Sequence, residues 1–183
     1  MNKSSIKEKY LIFKVRQDKD ADAYGKLYDF YVSRIYRFVY FKVRSQQDAE
    51  DLTSEVFLKT WEYINRTNKK IENLNALFYR VARNAVIDHY RSKQRDHCLM
   101  EDEQLQLIQE KSNLEKQTDI AIDMNNVQER LFKLKDIYRE VIVLKHIEEL
   151  SISEIAEILD KSKGNVRVLL HRAMVALREI SEN

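Results

Sequence analysis

Proline is missing from all 183 residues, glycine occurs only at Gly25 and Gly164, and cysteine only at Cys98. The two residues that most strongly interrupt helices are thus nearly absent, while 34% of the chain is charged. An all-α protein with short polar turns is expected. One cysteine cannot close an internal disulfide, and the N-terminal MNKSSIKEKY lacks the apolar core of a signal peptide. No apolar run nears the roughly 18 residues of a membrane span; VIVL at 141–144 is typical of the longest. These absences point to the reducing cytoplasm, without membrane insertion. There is no glycine-rich phosphate loop, and His89, His97, His146 and His171 show no metal-ligand spacing with Cys98 or each other. No catalysis, metal or cofactor is expected, and His97-Cys98 reads as an incidental pair. The formal net charge of +2 neither demands nor excludes a polyanionic partner, so distribution decides.

Aromatics in the segment from Asp22, at Tyr24, Tyr28, Tyr31, Tyr36, Phe38 and Phe41, recur mostly at three to five residues and predict an amphipathic helix. SQQDAED offers Asp48 as an N-cap for a second helix over about 49–64. NRTNKKIENLN reads as a polar loop, and a third helix is predicted from about Leu74 to Arg95. Residues 96–125 carry eight acidic residues against Lys111 and Lys116, a balance of −6, and read as an acidic linker with a possible short helix in LQLIQEKSNLEK. Two helical domains therefore span 1–95 and 126–183. In the second, helices are predicted from Val127 to about Glu149, from Ile152 to Leu159, and from Lys163 onward.

Ser151-Ile-Ser-Glu154 has the capping-box form. Asp160 and Lys161 make a turn, and Ser162 is placed to cap the next helix, giving helix, short turn, helix. In that last helix Val166, Leu170, Ala173 and Leu177 form an apolar stripe widened by Leu169 and Ala176. At about 100° per residue, Gly164, Arg167, Val168, His171, Arg172 and Val175 face the other way. Such a pair suits a major groove, and a glycine without Cβ lets the capping N–H groups approach a phosphate. Helix pairs of this geometry also occur in bundles that bind nothing.

On the second helix Asp48, Asp51, Glu55 and Glu62 fall within about 60° of one another, beside the apolar set Ala49, Leu52, Val56 and Ile64. On the third, Arg80, Arg83, Asn84, Arg91 and Arg95 share one side opposite Leu77, Phe78, Val81, Ala82 and Ala85. A cationic face suits a phosphate backbone, and the Asn84 amide can read a base edge. Tyr79 and Tyr90, with Lys69 and Lys70, suit exposed single-stranded bases. Both stripes could equally be solvated faces. Trp61 and the early tyrosines read as packing residues.

DAEDLTSEVFLKTW (48–61), ALFYRVARNAVIDHYRSKQR (76–95) and LSISEIAEILDKSKGNVRVLLHRAMVALRE (150–179) together resemble the extracytoplasmic-function sigma factors of bacterial RNA polymerase in order, spacing and intervening length. The resemblance spans nearly the whole chain from Asp22. It implies a non-catalytic transcription initiation factor: region two binds core polymerase and opens the minus-ten element, while region four binds the minus-thirty-five element and the polymerase flap. By position, Asp48, Asp51, Leu52, Glu55, Val56 and Phe57 would meet the polymerase clamp. Lys69, Lys70, Tyr79, Arg80, Arg83, Asn84, Arg91 and Arg95 would meet the minus-ten element, with flipped bases captured near the 65–75 loop and Asn84. Ser162, Lys163, Gly164, Asn165, Arg167, Val168, His171 and Arg172 would meet the minus-thirty-five duplex. The linker would thread through the RNA exit path, its acidity suited to a cationic channel. No added C-terminal sensory segment is recognised, so a separate anti-sigma protein is expected. Two positions depart from the family pattern: Asp160 stands where the family often has a turn glycine, and Val168-Leu169 where many members carry serine and arginine. The competing reading is a helix-turn-helix regulator that never joins polymerase.

Overall fold

The computed structural model describes the backbone of residues 3–67, 69–99 and 119–182, and side chains over 7–67, 69–94 and 124–182. It is all-α among these residues. In order they form α1 (Lys3–Asp18), α2 (Ala21–Tyr40), α3 (Gln46–Arg66), α4 (Leu74–Leu99), α5 (Asp119–Phe132), α6 (Asp136–Ile142), a π-helical turn (Val143–Ile147), α7 (Ile152–Leu159) and α8 (Lys163–Glu182).

The first domain wraps α1, α2 and α3 around the N-terminal half of α4. Ile35, Phe38 and Val39 of α2, Val56 and Ile64 of α3 and Phe78 and Ala82 of α4 are almost wholly buried. Aromatic rings fill the remaining space: Tyr31 stacks on Phe78 at 4.5 Å, and Phe57 meets the same ring at 5.1 Å. Trp61 packs edge-on against Tyr24 at 4.9 Å, which makes both packing residues. Leu11, Ile12 and Val15 anchor α1 to this core.

Several helix ends differ from the sequence expectation, each for a local reason. The N-cap of α3 is Ser45, whose hydroxyl accepts from the Asp48 N–H at 3.2 Å. Asp48 is thereby moved into the first turn, where its carboxylate is free to pair elsewhere. Nothing stops α4 at Arg95, and the helix runs on to Leu99. In the second domain α5 begins at Asp119, inside the expected linker, because DIAIDMNNV carries its own helical spacing of Ile120 and Met124. Residues 100–118, including LQLIQEKSNLEK, lie outside the described residues.

The long helix expected over 127–149 is broken at residues 133–135, where Lys133 and Leu134 N–H groups bond back to Arg130 and Leu131 at 3.2 and 3.1 Å. These tight i to i−3 bonds end α5 and let Leu134 point into the core. The capping box of α7 is complete: Ser151 Oγ accepts from Glu154 N–H at 3.2 Å, and Glu154 Oε2 accepts from Ser151 N–H at 2.9 Å. Burial pushes the Glu154 carboxyl up, but the Ser151 hydroxyl and N–H, with Asn75, hold it below its ordinary value. Asp160 closes α7 in the left-handed region at φ 51°, as a turn glycine would. Val166 and Ala173 are fully buried, with Leu169, Leu170, Ala176 and Leu177 packed against the same core.

The two domains are docked on each other. Glu148, its side chain fully buried, leaves the end of the π turn and accepts from Arg37 Nε at 2.7 Å, Arg37 Nη2 at 3.2 Å and the Tyr79 hydroxyl at 2.7 Å. Arg34 Nε stands 3.7 Å away. Every one of these partners belongs to the first domain. Glu140 of α6 repeats the pattern with Arg83 at 3.1 Å and Lys42 at 3.7 Å. Gln128 donates to the Tyr40 and Val43 carbonyls at 2.6 and 3.0 Å, and Asn73 donates to Glu157 of α7 at 2.8 Å.

Candidate polymerase and nucleic-acid interfaces

Helix α3 divides its residues by period. Leu52, Val56 and Phe57 join Ala49 and Ile64 inside the core, so in this arrangement they offer no surface to a partner. The physical reason is the spacing itself, since i, i+4 apolar residues on a helix flanked by two others face the bundle. On its acidic side α3 exposes Asp51, Leu58 and Glu62 and leaves Glu55 half-buried, and Glu50, Ser54, Lys59, Tyr63 and Arg66 are exposed around them. Leu58, 60% exposed, is the apolar member of this face; its position between Glu55 and Glu62 was the signal that could have found it. Glu55 pairs with Lys59 at 2.5 Å and Glu62 with Arg66 at 3.6 Å. Asp48 stands apart, bound to Lys93 at 2.8 Å and beside His89 at 3.4 Å, and so ties α3 to α4.

The basic face of α4 is split by the docked second domain. Arg80 and Asn84 are exposed, whereas Arg83 meets Glu140. Tyr79 is fully buried, and burial followed by the nearby Glu148 carboxylate pushes its hydroxyl pKa up. It cannot stack on a base while the domains stay together. Tyr90 keeps part of its ring exposed but anchors its hydroxyl on the Lys42 carbonyl at 2.9 Å. Arg91 lies 3.9 Å from Asp88, and the Arg95 side chain is outside the described residues. Lys69 and Lys70 are exposed, and the loop they occupy is held from α1, where Arg16 donates to the Lys69 carbonyl. That tie from α1 had no counterpart in the sequence reading.

At the other end of the molecule, the outer face of α8 is assembled as its period requires. Ser162 Oγ accepts from Asn165 N–H at 3.2 Å, capping the helix. Lys163, Gly164, Asn165, Arg167, His171 and Arg172 are exposed, and Val168 is 48% exposed among them. A Cβ added to Gly164 would meet only Ser162 Oγ, at 3.9 Å, and its φ is not positive. Nothing inside the fold requires glycine there, and the missing Cβ leaves the helix start open to close approach. Among the described residues no group of three or more His, Cys, Asp or Glu is placed to hold a metal, and no helix is long and apolar enough to cross a membrane.

Two helical domains, one with segregated acidic and basic faces and one presenting a capped helix-turn-helix with an outward cationic helix, place the chain in the class of two-domain all-α proteins with a candidate DNA-binding helix. Comparison with known proteins narrows this. Residues 27–96 match the model of Sigma-70 region 2, and residues 124–177 match that of Sigma-70 region 4. The chain is similar to the ECF RNA polymerase sigma factor SigW of Bacillus subtilis, 34% identical over 169 residues that cover 87% of this chain and 89% of that one. Its fold is similar to that of CnrH, solved in complex with the cytosolic domain of CnrY, with a TM-score of 0.73, 19% identity and coverage of 96% of this chain and 97% of that one. It is also similar to the sigma factor RpoE of Bartonella quintana, solved with the anti-sigma factor NepR, with a TM-score of 0.68, 18% identity and coverage of 86% and 96%. The chain belongs to the ECF RNA polymerase sigma factors of the sigma-70 family, which are transcription initiation factors.

Proposed function

We propose that this sigma factor joins core RNA polymerase through the exposed α3 face of Asp51, Glu55, Leu58 and Glu62, and that it works in the cytoplasm. The observation that carries the promoter half is the outer face of α8, where a Ser162-capped helix start, a glycine without internal purpose and the cations Lys163, Arg167 and Arg172 lie together. Arg167 and Arg172 contact phosphates and base edges of the minus-thirty-five duplex, and Val168 touches a thymine methyl or sugar. Asn84 and the 65–75 loop hold unstacked minus-ten bases, with Arg80, Arg83 and Arg91 on the backbone.

The docked arrangement is a resting form in this reading. It covers Tyr79 and occupies Arg83 with Glu140, so engagement of a melted minus-ten element requires the second domain to leave. A separate anti-sigma protein acts by stabilising the resting form or by covering either domain.

The test mixes the purified full chain with sigma-free core polymerase and sequences transcripts from fragmented genomic DNA. Defined start sites with two shared upstream elements are expected; Asn84→Ala should weaken the downstream preference and Arg167→Ala the upstream one. A chain that footprints DNA alone and forms no complex with active core would move the assignment to a free-standing regulator.

A further inference from the structure

Between the docked domains lies a cleft of about 620 Å³. The first domain lines it with Lys42, Arg44, Arg83 and Arg91, and the second with Lys135 and Arg139; among the described residues its carboxylates are Asp136 and Glu140. Asp136 is largely exposed and spent on Arg139, so Glu140 alone answers Lys42 and Arg83. Arg139 is only 5% exposed, yet its Nε and Nη1 have no hydrogen-bond partner. Its guanidinium lies 4.1 Å from the Phe132 ring centroid, and that of Arg44, from the other domain, lies 4.8 Å from the same ring. Burial first, and then neighbours including Arg139 and Arg83, push the Lys42 ammonium below its ordinary pKa against the pull of Glu140.

Cations gathered in one cleft repel one another, and a buried guanidinium with unmade hydrogen bonds is costly. A bound polyanion would relieve both. The rest of the wall is mostly apolar, with Val86, Ile87, Phe132, Leu134 and Ile137 beside the Tyr90 ring and Gln94. The volume falls within the roughly 300–1,000 Å³ of small-molecule sites.

We propose that the interdomain cleft binds a nucleoside polyphosphate, its phosphates held between Arg44 and Arg83 of one domain and Arg139 of the other and its base against the Phe132 wall. A nucleic-acid strand is a poorer occupant, because the walls belong to two domains already in contact. Since each domain supplies part of the cation set, such a ligand binds only the docked arrangement and stabilises it by linkage. The consequence for promoter binding, that the ligand competes for Arg83 and Arg91, rests on the function proposed above; the binding itself does not.

The full chain is titrated calorimetrically with ATP and, separately, with sodium tripolyphosphate at near-physiological ionic strength. Saturable binding of both at one site is expected, ATP the tighter, with affinity about tenfold or more lower in Arg44→Gln and Arg139→Gln, the size of a lost charge-assisted contact, and unchanged in Lys59→Gln. Circular dichroism checks that Arg139→Gln folds, and the exposed Arg44 carries the test if it does not. No saturable binding of either probe, undiminished affinity in Arg44→Gln, or binding confined to a single-stranded oligodeoxynucleotide would each overturn the site. Tripolyphosphate binding as tightly as ATP would overturn the nucleoside part. No polymerase enters this readout, so it stands or falls apart from the initiation assay.

Discussion

Glu148→Gln is the sharpest probe of the docked arrangement, because the carboxylate belongs to one domain and all its partners to the other. The substitution keeps the shape and leaves an oxygen for the Tyr79 hydroxyl, but it removes the charge that faces Arg37 and Arg34. Breaking a buried ion pair costs ~3–5 kcal/mol when the remaining charge is stranded. Here Arg37 and Arg34 keep 38% and 29% of their side-chain exposure, so water recovers part of the loss and ~2–3 kcal/mol is expected. At tenfold per ~1.4 kcal/mol, the docked form loses about 30- to 150-fold against the separated one. Small-angle scattering should report a larger radius of gyration, and hydrogen exchange should report lost protection where α7 meets the N-terminal end of α4. Apparent affinity of the polymerase-bound factor for a single-stranded minus-ten oligonucleotide should rise, as it does whenever a competent state is freed from a dominant incompetent one. An unchanged radius and unchanged protection, with the variant folded, would refute the latch. Greater separation with unchanged or weaker minus-ten binding would refute the claim that docking is inhibitory.

Three further perturbations test other parts of the structure. Asp51→Lys with Glu55→Lys should lower core-polymerase affinity about tenfold or more while shifting stability by no more than about 0.5 kcal/mol, as befits an exposed face; competition against the unmodified chain measures the first and thermal melting the second. Asp160→Gly should raise stability by about 0.5 kcal/mol and Asp160→Val should lower it by ~1–2 kcal/mol, because the residue sits at φ 51°; both are read by denaturant unfolding. Because the folded pKa of Glu154 lies below its ordinary value, the capping-box contribution is complete above that ordinary value and disappears as pH falls through the folded one. Melting across this acid range should fall less steeply in Glu154→Gln, and equal slopes would exclude the box as the cause.

Where the sequence carried a helical period and a cap, the structure could be read from it. The Ser151–Glu154 box, the Ser162 cap, the buried Val166 and Ala173 and the outward Arg167, Val168 and Arg172 all depend on local rules that neighbours do not override. On α3, the same period that marked the acidic stripe also put Leu52 and Val56 in the core, and assigning them to a partner surface conflicted with it. Helix α1 is hard to read in the sequence because the run Tyr10–Phe13 spreads apolar residues around the helix and masks the i, i+4 pair Leu11 and Val15 that the core buries. Long-range pairing was the least legible layer. Glu140 and Glu148 look like ordinary solvated charges in the sequence, and only docking brings Arg83, Lys42 and Arg37 to them.

Glu148 reaches its partners because the chain just before it is wound as a π turn, with the Glu148 N–H bonded to the Val143 carbonyl at 2.9 Å. A π turn is an α-helix carrying one residue too many. Four residues of ordinary winding cover about the same arc as the five of the turn, so deleting one would leave Glu148 facing Arg37, whereas inserting one into the regular winding of α6 would swing it about 100° around the axis, away from Arg37, without altering a single charge. The interlock is therefore written as a count of residues, and a change in chain length could release it as completely as a change in chemistry.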